Sequence, residues 1–160
     1  MPEFVLPGAS EPAFRALDSF TQGYIEALFF TEEERLCEEG NEGREMPEVV
    51  INTATMESRF QGGNSYGVAD LAPSALASII ADCAAFQTAN AALLNEAYAR
   101  DYDAEQAGRD FWFTRNGHGV GFDDRGLGDI GERLTRSCSF RTEFDSVDAY
   151  IGDDGKVYVS

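Results

Sequence analysis

The amino-acid sequence predicts an α+β fold in which helices pack on a small antiparallel sheet built from two β-hairpins. Three observations carry that prediction. Apolar residues recur at helical spacing over two long stretches; an Asn-Gly pair, Asn116-Gly117, stands between aromatic and glycine-rich runs; and Gly152-Asp-Asp-Gly155 separates two short β-prone segments near the carboxyl end. With 160 residues, 43 % of them hydrophobic and twelve of them Phe, the chain can bury one sizeable core. No internal repeat or linker divides it. The expected organisation is therefore a single domain over 1–160, with an acidic variable segment at about 31–67.

Met1 to Ala9 reads as extended, and Ser10-Glu11-Pro12 as a helix start, with a capping hydroxyl and a first-turn proline. From Ala13 to Phe30 the residues Phe14, Leu17, Tyr24, Ile25 and Leu28 follow helical spacing, and Phe29-Phe30 widens the apolar face toward either the core or a partner. Thr31 then caps a short continuing helix whose acidic first turn complements the helix dipole and which Gly40 ends. Val49-Val50-Ile51 is β-prone. Asn52 to Gly67 reads as a loop with a bend at Gly62-Gly63, and it lacks the G-x-x-x-x-G-K-[ST] pattern that would cradle phosphate. The longest helix opens at Asp70-Leu-Ala-Pro-Ser74 and runs to about Ala99, with Leu76, Ile79, Ile80, Cys83 and Leu93 or Leu94 along its stripe. Asp101 to Asp110 forms a further helical turn. Its D-x-D-x-E spacing lacks the sixth-position glycine and the twelfth-position acid of a calcium loop.

The centre of the expected sheet is Asp110–Arg125. A type I′ turn needs positive φ at both central residues, which Asn tolerates and Gly adopts freely. That register places Arg115 opposite His118 and gathers Phe111, Phe113, Val120 and Phe122 on one face. Leu127, Ile130 and Leu134 then mark a helix within Gly126 to Cys138, and Ser146 to Ile151 with Lys156 to Ser160 form the second hairpin.

Charge bounds the partners. Twenty-nine acidic against twelve basic residues leave a net charge of −17, which repels nucleic-acid phosphates and anionic lipid and attracts basic proteins. The plain alternative is that the acidity serves solubility or a salt-rich habitat. Cys37, Cys83 and Cys138 form no C-x-x-C pair and are odd in number, so reduced thiols in a cytoplasm are expected rather than a disulfide framework or a zinc site. No apolar run approaches the roughly 20 residues needed to span a bilayer. The expected location is the cytoplasm, with no membrane attachment, cofactor or metal.

The single histidine, His118, with Arg115 across the expected turn, could bind an anion or act as acid and base. No nucleophile or second ligand accompanies them in sequence. The block D-F-W-x-T-R-N-G-H-G-x-G-F-x-D-R, followed by L-G-x-x-G-x-x-L from Leu127 and Y-x-G-D-D-G-K from Tyr150, resembles a group of small acidic proteins encoded by bacteriophages and mobile elements. Phe20-Thr-Gln-Gly-Tyr-Ile-Glu-Ala-Leu28 and Asp70-Leu-Ala-Pro73 extend the resemblance over most of the chain. It carries no assigned catalytic residues. The resemblance says nothing of mechanism. A phage or mobile-element origin taken with the net charge of −17 leads to the expectation of a non-enzymatic, anti-defence protein of the host cytoplasm, an inhibitor that mimics nucleic acid to engage a basic host protein of a restriction or CRISPR-type system. Glu32, Glu33, Glu34, Glu38, Glu39, Asp145, Asp148, Asp153 and Asp154 are the expected contact residues. The alternatives are a small hydrolase or transferase using His118 and Arg115, and a structural phage protein that self-associates through its Phe-rich helix.

Overall fold

The computed structural model describes residues 3–4, 6–41, 48–52, 57–61 and 66–160, with side chains for 6–41 and 66–160. The α+β class stands. A short helix α1 (Pro12–Arg15) precedes α2 (Ser19–Gly40), whose amino end is capped by Asp18 accepting from the Thr21 N–H at 2.7 Å. The helix expected over Ala13–Phe30 thus breaks at residues 16–18, and its remainder continues without a stop through Thr31–Gly40 as one helix of 22 residues. Thr31 caps nothing: it sits mid-helix, where its hydroxyl donates to the Leu28 carbonyl and accepts from the Trp112 indole.

Strands β1 (Glu3–Phe4), β2 (Glu48–Asn52) and β3 (Glu57–Gln61) make a sheet in the order β1-β3-β2, with β2 antiparallel and β1 parallel to β3. The β-prone Val49–Ile51 is confirmed, but β3 falls inside the stretch read as loop. Its sequence, Glu-Ser-Arg-Phe-Gln, is too polar for a strand signal, and pairing to two neighbours overrides that weak propensity. The expected bend at Gly62-Gly63 lies outside the described residues.

The long helix expected from Asp70 to Ala99 is two helices, α3 (Pro73–Ala89) and α4 (Ala91–Tyr98), which turn by 81° at Asn90. The Asn90 amide donates to the Phe86 carbonyl at 3.1 Å and to Ser137 Oγ at 3.0 Å, so the break is tied to the next layer. Helix α5 (Ala104–Arg115) follows, capped by Asp103, then α6 (Asp129–Ser137) and the hairpin β4 (Ala149–Ile151) and β5 (Val157–Val159). The carboxyl-terminal hairpin matches expectation, with Ala149 opposite Val159 and Tyr150 opposite Tyr158.

The expected hairpin over Asp110–Arg125 does not form. Its first half is the end of α5, and Asn116-Gly117 stops a helix instead of reversing a strand. Gly117 takes φ +66° and the chain closes with His118 N–H to Phe113 O at 3.0 Å and Gly117 N–H to Thr114 O at 3.3 Å, the paired bonds of a Schellman end. Asn-Gly serves either purpose. The flanking residues could not arbitrate, because Phe111, Trp112 and Phe113 are all buried and consecutive burial has neither period.

Helices α2 and α5 cross at backbone contact and run in the same direction, as the pairs Glu26–Arg109 and Thr31–Trp112 show. Two glycines permit this approach: a Cβ on Gly23 would stand 2.0 Å from the Glu105 carbonyl oxygen, and one on Gly108 1.8 Å from that of Phe20. Above the crossing, Phe111 stacks on Phe86 with ring centroids 4.1 Å apart, and Phe144 meets both edge-on. Aromatic pairs of this kind contribute about 1 kcal/mol each beyond their burial.

Candidate functional site

Two buried ionic clusters hold the loop that follows α5. Asp110 is fully buried and accepts from Arg125 Nε at 3.2 and 3.0 Å, from Arg125 Nη2 at 2.8 Å, from the Tyr102 hydroxyl at 2.7 Å and from Gln106 Nε2 at 3.1 Å. The hydrogen bonds to Asp110 raise the already high pKa of Arg125, while burial and that carboxylate push the Tyr102 phenol up. Arg115 is the second anchor. It donates to Tyr24 Oη at 3.1 Å, to Asp82 Oδ2 at 3.0 Å and twice to the Asp145 carbonyl at 3.0 and 2.7 Å, with its guanidinium 4.8 Å from the centre of the Phe111 ring.

Arg115 and His118 therefore part company. The Arg115 side chain is 2 % exposed and its donors are taken up by the fold. The His118 imidazole lies over Trp112, centroids 6.3 Å apart, and meets Phe113 edge-on, with Nε2 3.8 Å from Glu32 Oε1. On the glycine side of the loop is a cleft of about 310 Å³ whose walls include Phe113, Thr114, Val120, Phe122 and Asp123; His118 is not part of its lining. A general base needs a substrate within hydrogen-bond reach, and here the imidazole faces aromatic rings and a glutamate already paired to Arg35 at 2.9 Å.

The thiols offer no nucleophile. All three cysteines are buried and free, and burial pushes Cys37 up to about 11, Cys138 up to about 12 and Cys83 higher still. Among the described residues no group of three His, Cys, Asp or Glu side chains is placed to hold a metal ion. Among the same residues no single helix is long and apolar enough to cross a membrane.

The expected contact acids fall into two sets that meet. Glu32, Arg35 and Glu39 follow one side of the carboxyl half of α2, and this side packs against the β4–β5 hairpin: Arg35 donates to the Ala149 carbonyl, and the Ile151 N–H donates to Glu39 Oε1 at 3.1 Å. Comparison with known families, with curated proteins and with solved structures gives no match to this chain. The site has to speak through its own chemistry.

Within that chemistry the nine acids differ. Glu34, Glu38, Asp148, Asp153 and Asp154 are exposed. Glu32 and Glu39 are engaged by Arg35, and Glu33 is half-buried, which pushes its carboxyl up to about 7. The Asp145 carboxylate stays at the surface but is taken up locally, accepting from the Arg141 N–H at 2.8 Å and the Ser146 N–H at 2.7 Å, and these bonds hold its carboxyl below the usual range. Two tyrosines that the sequence reading passed over, Tyr150 and Tyr158, stack across the hairpin beside Asp153 and Asp154. The signal available for finding them was their place on the two arms that flank the Gly152–Gly155 turn, where the hairpin register sets Tyr150 opposite Tyr158.

Proposed function

We propose that this protein is a non-enzymatic binding protein whose carboxylate face engages a basic protein, in the manner of a nucleic-acid mimic that inhibits a host defence system. The observation that carries the reading is the contact of α2 with β4–β5 through Glu39 and Arg35. It brings two acidic segments, separated by about a hundred residues of chain, into contact with each other. The described part of the first, residues 31–41, holds five glutamates and one arginine, and the second, residues 143–154, holds five acids and no base. Glu34, Glu38, Asp148 and Asp153 are exposed and not taken up by the fold, so these are the acids that compete for sites that otherwise bind phosphates spaced along a duplex.

The test is capture of basic bacterial proteins on the immobilised chain, with duplex DNA as competitor and salt as a variable. Bound protein should be displaced by DNA and by salt. Reversing Glu34, Glu38, Asp148 and Asp153 to lysine should abolish capture, whereas His118→Ala should leave it intact. Capture indifferent to DNA, salt and those four reversals would overturn the reading.

A further inference from the structure

We propose that the cleft formed by Tyr150 and Tyr158 receives an arginine side chain of the basic partner, with the guanidinium stacked on the rings and facing Asp153. The inference rests on the acidic-face reading and names its most specific point of contact. The cleft is about 340 Å³, lined by the two tyrosines with Gly152, Asp153 and Asp154. That size lies at the small end of the roughly 300–1,000 Å³ of ligand pockets and fits one long side chain better than an extended ligand.

Acids at a hairpin tip are by themselves a solvated turn. What sets this one apart is an aromatic pair in which Tyr158 packs against the edge of the core and Tyr150 lies outside it. The rings lie 5.8 Å apart at 20°, and Tyr150 is 39 % exposed. Tyr158 lies so close over the hairpin backbone that a Cβ on Gly152 would be 2.4 Å from its Cε2. Its hydroxyl donates to Asp154 Oδ2 at 2.7 Å, and Asp154 Oδ1 accepts from the Lys156 N–H at 3.0 Å. These bonds, that from Tyr158 foremost, hold the Asp154 carboxyl below its usual range, so it stays ionised. A ring fixed in advance loses little freedom when a partner stacks on it.

The chemistry selects a planar cation. Guanidinium stacks on tyrosine faces and forks toward carboxylates, whereas a lysine ammonium is a compact, strongly hydrated charge. Asp153 is exposed and has no partner among the described residues. The Ile151 N–H to Glu39 bond joins the cleft's own strand to the acidic side of α2, a neighbourhood that attracts cations and turns anions away. The hairpin's one base, Lys156, meets Asp154 both through its backbone N–H and through the charge of its ammonium, which leaves Asp153 as the carboxylate for an incoming cation.

The experiment titrates the 160-residue chain with tri-arginine and with tri-lysine, observing the tyrosine ring resonances by NMR. Tri-arginine should shift the Tyr150 and Tyr158 signals and bind several-fold more tightly than tri-lysine. Tyr150→Ala should weaken tri-arginine about three- to ten-fold, while Tyr150→Phe, which keeps the ring, should bind normally. Equal affinity for the two peptides, unchanged by Tyr150→Ala, would overturn the cleft and leave a purely electrostatic face standing. Loss of DNA-competed capture on reversal of Glu34, Glu38 and Asp148, none of which lines the cleft, reports on that face separately.

Discussion

Replacing Gly108 by alanine separates propensity from packing, because the two predict opposite signs. In an isolated helix the change stabilises by about 1 kcal/mol. In this fold the new Cβ would stand 1.8 Å from the Phe20 carbonyl oxygen, 2.7 Å from its carbon and 3.0 Å from the Tyr24 nitrogen, all of them backbone atoms that no side-chain rotation can move aside. Carbon and oxygen rest at about 3.4 Å, so α2 and α5 must separate by roughly 1.5 Å along that direction. Such a shift also opens the Tyr24 contacts with Phe111, at 5.3 Å between centroids, and with Trp112, at 5.4 Å. Overpacking costs about 1–3 kcal/mol, and with the aromatic contacts loosened the net loss should be about 2–4 kcal/mol after the propensity gain. Urea unfolding should show it directly, and Tm should fall by roughly 5–15 °C. Gly117→Ala is the control: no atom lies within 4 Å of its Cβ, and only the φ of +66° opposes it, at a cost of about 1 kcal/mol. A Gly108→Ala chain as stable as the parent would refute the close crossing.

Two further outcomes follow from the buried acids. Because burial raises Glu33 from an ordinary value near 4.5 to about 7, the folded state binds the extra proton, so its contribution is complete below about 4.5 and is lost as pH rises through about 7. Glu33→Gln should flatten that slope and raise stability at pH 8 by about 1 kcal/mol, discounted for the solvent that reaches a half-buried group; urea midpoints at pH 5 and pH 8 check it. Asp110→Asn should cost about 3 kcal/mol, since it leaves Arg125 and the Tyr102 hydroxyl without their anionic partner, whereas Asp123→Asn at the exposed neighbour should change stability by under about 0.5 kcal/mol. Equal midpoints for these two variants would contradict the buried cluster.

The α+β class, the amphipathic run through Tyr24 and Leu28, the α6 stripe of Ile130 and Leu134 with Leu127 just ahead of it, and the hairpin around Gly152–Gly155 were all legible in the sequence. Each is written in a local period or a turn that one backbone conformation satisfies. Asp110–Arg125 was misread for the converse reason: a consecutive aromatic run buried on all sides keeps no period, and Asn-Gly ends a helix as readily as it reverses a strand. The pairing of Arg115 with His118 fell with that hairpin.

Composition alone determined that the surface would be acidic, since a charge of −17 cannot be buried. Which acids face outward was a tertiary decision. Arg35 draws Glu32 and Glu39 into the contact between α2 and the hairpin, the core half-covers Glu33, and Asp110 is enclosed by Arg125, Tyr102 and Gln106. Glu34, Glu38, Asp148 and Asp153 stay outside. A chain specifies how much charge it carries through its residue types, but the partners that consume or spare each charge lie tens of residues away and meet only when the helices cross.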